Sequence, residues 1–285
     1  MDATWRPYVA ELIGSLILVF LSAGAVCADA AAANREAPAT TSIVPPRPGV
    51  SGIALAAGCA LAAGLAATSL EPRGFLNPAI TLVLWVFKRL EGGQAAALIG
   101  VQFLGAAIAG GLVRLLFSFN EIAITAARAG TPHVDFTAFD TAGLTSRALF
   151  NGIGVEVVLT FALTFVIFAT MIDPRPQRYL GRGRLSGLWA GLVLVAITVV
   201  GQRYTGAAVN PARWFGTVIW ETTVPTLATQ QPFADHVVYW VGPILGALIA
   251  GGIYSMFIMP EETEPERPLA APGKATPGVP SRSHK

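Results

Sequence analysis

The sequence predicts an all-α membrane protein: a bundle of six transmembrane helices plus two re-entrant half-helices, arranged as an inverted internal repeat. Three observations predict it. The chain is 53% hydrophobic and only 13% charged, with a mean hydropathy of +0.59, whereas an ordinary soluble domain carries about 25% charged residues. Six apolar stretches reach the roughly 20 residues a helix needs to cross a bilayer. Two shorter apolar stretches each open on Asn-Pro-Ala, in "GFLNPAITL" at 74–82 and "AAVNPARWF" at 207–215.

The first span, 8–28, carries Glu11 inside "AELIGSLILVF". Its end, "LSAGAVCADA", has the Ala-x-Ala form of a signal-peptide cleavage site, but a matching stretch later in the chain marks it as a retained span. A Pro-rich loop, "EAPATTSIVPPRPGV", leads to the second span, 50–69. The stretch 77–87 follows. At about 1.5 Å per residue it covers roughly half of a hydrocarbon core some 30 Å thick, so it enters the membrane without crossing it. Asn as N-cap and Pro at the first helical position are sufficient to start such a helix. The third span is 94–117, the fourth 151–172 with Glu156 in "VEVVLTFALTF", and the fifth 186–202. A second half-helix, 210–220, and a sixth span, 237–258, complete the membrane part. Residues 260–285, rich in Pro, Glu, Arg and Ser, read as a disordered cytoplasmic tail.

Aligned on their carboxylates, the first and fourth spans share Glu-x-x-x-Ser/Thr-x-x-Leu, with Glu11, Ser15 and Leu18 matching Glu156, Thr160 and Leu163. Each is followed by another span and then by an Asn-Pro-Ala half-helix. The protein thus reads as a single domain over 1–259 built from two units, about 8–117 and 151–258. Three spans per unit is an odd number, so the second unit lies upside down relative to the first. Inverted repeats with interrupted helices place a pathway near the midplane between the two halves. Irregular backbone at that depth must be buried in protein or line a water-filled cavity. For Glu11 and Glu156 two readings stand: a proton relay, or acceptors for backbone N–H groups of the loops before the half-helices, which otherwise lack partners.

Arginine and lysine set the orientation. Arg6, Arg73, Lys88, Arg89, the loop Arg175, Arg178, Arg182 and Arg184, and the tail's Arg267, Lys274, Arg282 and Lys285 fall on one side if both termini are cytoplasmic. A multi-pass protein of the inner or plasma membrane is expected, with the lipid bilayer as its first partner. The net charge of +2 gives no reason to invoke nucleic acid. Cys27 and Cys59 lack metal-ligand spacing and read as packing residues, so no metal and no cofactor is expected. No span pairs a nucleophile with a histidine or holds two catalytic carboxylates, which argues against an enzyme.

With these motifs in place, the chain from about Tyr8 to Ile258 resembles the aquaporins and aquaglyceroporins of the major intrinsic protein family. "GAAVNPARWFG", "VQFLGAAIAG" and "YWVGPILGALIAG" extend the likeness beyond the two Asn-Pro-Ala motifs. The resemblance implies an aquaporin-like bundle around a narrow pore, assembled as a homotetramer. It implies that Asn77, Pro78, Ala79, Asn210, Pro211 and Ala212 form the midplane constriction. There the asparagine amides donate to one permeating molecule, and two half-helix dipoles repel cations. A selectivity filter then falls at Ala57, Thr198, Ala207 and Arg213, with Ile197 or Val199 as the alternatives to Thr198. Three small residues in place of the family's aromatic or histidine side chains suggest a wide filter that passes glycerol, urea or metalloid acids as well as water. Trp214 stands where aquaglyceroporins carry Asp, and Phe75 where the family often carries His, which removes one candidate for pH gating. The alternatives are a strictly water-selective aquaporin, a weakly conducting structural membrane protein, or an ion-coupled transporter with a titratable group at the pore centre.

Overall fold

In hydrocarbon, backbone N–H and C=O groups must find partners within their own segment, so long apolar runs become helices. The computed structural model describes residues 5–34, 46–68, 75–175 and 186–259. In it the runs form α1 (Arg6–Ala33), α2 (Gly49–Thr68), α3 (Pro78–Val86), α4 (Gly92–Leu116), α5 (Ser146–Ile167), α6 (Ser186–Gly201), α7 (Pro211–Glu221) and α8 (His236–Ile253). Wider π turns, Phe168–Ile172 and Tyr254–Ile258, prolong α5 and α8. The tail, most of the arginine-rich loop before α6 and part of the Pro-rich loop lie outside the described residues, so the expectations placed on them are not addressed.

Among the described residues, α1, α2, α4, α5 and α8 are long and apolar enough to cross a membrane, the last two together with their π turns. The expected fifth span, α6, is shorter at 16 residues, about 24 Å of helix. Half-helices α3 and α7 hold 9 and 11 residues. Large apolar side chains such as Leu104, Phe150, Val158, Val200 and Phe257 are exposed on the outside of the bundle. A surface of that kind suits contact with lipid.

Packing follows the repeat. α1 lies against α2 and α4, and α5 correspondingly against α6 and α8. Each half-helix packs on the last helix of the other unit, α7 on α4 and α3 on α8. Small residues make these approaches possible, as is usual between membrane helices. The segments "LGAAIAG" at 104–110 and "LGALIAG" at 245–251 hold two such glycines each. A Cβ on Gly105 would stand 2.3 Å from the Leu12 carbonyl oxygen, and one on Gly246 equally 2.3 Å from that of Val157. At the second pair, Gly110 faces the carbonyl of Gly216 on α7 and Gly251 faces Val83 on α3. Across the centre, α2 and α6 cross at Gly58 and Gly191, where either Cβ would come within about 2.5 Å of the opposite glycine's carbonyl oxygen.

Chain direction orders the lumen. The face at which α1 begins and α8 ends is the near face; α2 runs toward it and α6 away from it. The chain before α3 comes from the near face and that before α7 from the far face, so the two half-helices begin at mid-depth and return to opposite sides.

Candidate functional site

Both half-helices start as their sequences dictate. Asn77 and Asn210 adopt extended backbone, with φ of −150° and −152°. The Asn77 Oδ1 accepts from the Ala79 N–H at 3.0 Å, and that of Asn210 from Ala212 and Arg213 at 2.9 and 3.3 Å. Pro78 and Pro211 occupy the first helical position, where a missing N–H costs nothing. The preceding residues, Leu76 and Val209, are left-handed, with φ of 54° and 47°, at about 1–3 kcal/mol each for such backbone. That turn offers each carbonyl to the opposite repeat. The Asn77 Nδ2 donates to the Val209 carbonyl and the Asn210 Nδ2 to the Leu76 carbonyl, both at 2.8 Å.

A buried carboxylate holds each elbow. Glu11 accepts from the N–H groups of Phe75 and Leu76 and from the Gln102 side-chain amide at 2.9 Å. Glu156 accepts from the Ala208 and Val209 N–H groups at 2.9 and 2.7 Å and from the Thr205 hydroxyl at 2.6 Å. Such orphan amides would each cost about 1–3 kcal/mol without an acceptor.

Asn77, Asn210, Ala57, Thr198, Ala207 and Arg213 line one lumen. It leaves the centre of a water molecule about 20 Å3, little more than the roughly 10–15 Å3 that one water needs. Of the three residues considered for α6, Thr198 lines the lumen, Ile197 does not, and Val199 is exposed on the outside of the bundle. The Thr198 Oγ1 has no hydrogen-bond partner among the described residues. Arg213, 6% exposed, donates from Nη1 to the carbonyls of Gly206 at 3.2 Å and Ala207 at 3.4 Å. Among the described ion pairs it has no carboxylate partner.

On the far face Arg213 also borders a vestibule of about 200 Å3, walled by the loop segment 126–133 and by Gln202 and Gly206. His133 ties this loop down. Its Nε2 lies 2.5 Å from Glu221 and its Nδ1 3.0 Å from Asp235, while Arg128 reaches Glu221 at 3.0 Å. Burial opposes the charged imidazolium, but the hydrogen bonds it donates to Asp235 and Glu221 outweigh it and raise the pKa above the ordinary histidine value. No motif announces this cluster, because its members come from three separate segments.

The sequence pattern of the family described as Major intrinsic protein matches residues 1–254. The chain is 32% identical to "Probable aquaporin TIP4-1" of Oryza sativa subsp. japonica, over 91% of this chain and 90% of that protein. It is 30% identical to "Aquaporin TIP2-1" of Arabidopsis thaliana, over 90% and 89%. In fold it is similar to the aquaglyceroporin from Plasmodium falciparum, with a TM-score of 0.69 at 21% identity over 89% of this chain and 96% of that one. Paired capped half-helices inside a helical membrane bundle, matched by sequence along nearly the whole chain, place this protein in the major intrinsic protein family of membrane channels.

Proposed function

We propose that the chain is a passive transmembrane channel for water and small uncharged solutes that excludes protons and ions. One observation carries this reading: the lumen is ringed by donors and apolar side chains, and Arg213 is the only ionisable residue among the described residues lining it. Each asparagine spends one Nδ2 hydrogen on the opposite repeat, and an amide has two. The second hydrogens of Asn77 and Asn210 serve a passing oxygen. A water held by both donors turns its own hydrogens away, and the positive ends of α3 and α7 oppose a cation at the same point. Ions also forfeit hydration against the leucine and isoleucine wall, at a cost that no acceptor there repays.

Toward the far face, Ala57, Ala207 and the hydroxyl of Thr198 put small side chains beside Arg213, which is the ground for admitting a polyol, urea or a metalloid acid. A second reading, strict water selectivity, is favoured by the small lumen. Among the described residues no acidic group lines the lumen, which speaks against ion coupling. The arginine distribution supports an orientation with both termini cytoplasmic, an inner or plasma membrane is the location we propose, and the exposed apolar faces suit a homotetramer. In proteoliposomes, stopped-flow light scattering should show rapid shrinkage under an impermeant osmolyte; shrinkage no faster than empty liposomes would overturn the channel reading. Arg213→Ala should admit cations that the parent excludes, measured as membrane current.

A further inference from the structure

The lumen is lopsided, and the repeat shows how. Phe75 and Ala208 hold equivalent places, each two residues before its asparagine, each with its N–H on the carboxylate of its own unit, and both line the lumen. Phe75 is the only aromatic among the described lining residues. On α2, Leu61 lies one turn nearer the near face than Ala57; on α6, Leu194 lies one turn nearer than Thr198. By the repeat, Leu18 and Leu163, and Leu61 and Leu194, flank the centre from both sides, so the lopsidedness lies in three pairs: Ile167 against Ser22, Phe75 against Ala208 and Ile80 against Arg213, the apolar member of each facing the near half.

Phe75 also has little freedom to step aside. Its N–H is held by Glu11, the next residue is left-handed, and that residue's carbonyl is committed to Asn210. The side chain is packed within the main buried cluster and the residue is 4% exposed.

We propose that Phe75 is the size-determining residue of the channel: solutes that pass the small residues around Arg213 are turned back at its ring, on the near-face side of the asparagines. The inference rests on the channel reading above in its second, water-selective form, with solutes of glycerol size held back. It reconciles the small side chains around Arg213 with the small volume of the lumen they line, and it assigns selectivity by bulk to the near half and selectivity by charge to the far half. A hydroxyl-bearing solute pressed against the ring and its aliphatic neighbours would also lose hydrogen bonds that water, being smaller, keeps with the asparagines.

The test measures water and glycerol permeability of proteoliposomes holding the parent, Phe75→Ala, Phe75→Leu and Phe75→Trp. The expected result is fast water and slow glycerol in the parent. In Phe75→Ala the glycerol-to-water ratio should rise by about tenfold, equivalent to ~1.4 kcal/mol of barrier. Phe75→Leu, which keeps apolar packing, should give a smaller rise, and Phe75→Trp a fall. If Phe75→Ala does not fold, the Leu and Trp pair carries the test with opposite signs. A ratio unchanged across variants that conduct water overturns the inference and leaves the channel reading intact. A silent parent with a conducting Phe75→Ala supports the role of the ring and overturns a conducting resting state; silence in all folded variants overturns both.

Discussion

In the first elbow Glu11 takes the N–H groups of Phe75 and Leu76, Leu76 turns left-handed, and Asn77 caps α3. In the second, Glu156 takes those of Ala208 and Val209, Val209 turns left-handed, and Asn210 caps α7. Backbone support is thus a property of the repeat. The departures are in side chains: Phe75 against Ala208, Gln102 against Thr205 as the third partner of the glutamate, and Ile80 against Arg213 just inside the helix. Symmetry builds the constriction, and the residues that break the symmetry give its two ends different tasks.

The largest expected effect tests the shared part. Glu156→Ala leaves the Ala208 and Val209 amides and the Thr205 hydroxyl without their acceptor, and at about 1–3 kcal/mol each the loss should reach roughly 3 kcal/mol or more. Glu11→Ala should cost a similar amount. Thermal unfolding in detergent checks both, and a large drop in only one would break the equivalence of the elbows. Next in size is the central crossing. Gly58→Val and Gly191→Val each drive a side chain into the opposite backbone, and both should lose about 1–3 kcal/mol by overpacking; unequal losses would show that the crossing tolerates movement on one side.

Ala208→Phe sharpens the contrast by placing a ring on both elbows. Water permeability measured by stopped flow should then fall by about tenfold, ~1.4 kcal/mol of barrier, with the folded protein retained. The smallest effect concerns the far-face loop, whose anchor has no counterpart among the described residues of the near-face elbow. Only an imidazolium can donate to Glu221 and Asp235 together. Because the folded pKa of His133 is raised, the stabilisation is complete below the unfolded histidine value and is lost as pH rises through the folded one. Melting temperature measured against pH should decline on that alkaline side in the parent and stay flatter in His133→Gln.

Much of this was legible in the chain. Hydropathy marks the spans, and the paired Asn-Pro-Ala motifs mark the half-helices, because capping is local chemistry. The matched carboxylates reveal the repeat, and "LGAAIAG" with "LGALIAG" is a second signal of it, written at the helix contacts. Other features depend on three dimensions. Nothing in the identity of Leu76 or Val209 favours a left-handed backbone, so the exchange of asparagine and carbonyl between repeats cannot be read from either motif alone. The His133 cluster is hidden for a similar reason, since Glu221 and Asp235 lie 88 and 102 residues further along. The lopsided lumen needed helix direction and depth before Phe75 could be set against Ala208.

The exchanged hydrogen bonds also bear on how the protein is made. Asn77 finds its carbonyl on Val209, 132 residues later in the chain. At about 5–20 residues per second of synthesis, the first half-helix exists for roughly ten seconds before its partner has been translated. During that interval the Asn77 amide must be served by water, lipid headgroups or the insertion machinery. Closure of the pore is therefore a late event in biogenesis, and the first repeat waits in the membrane as an unfinished half.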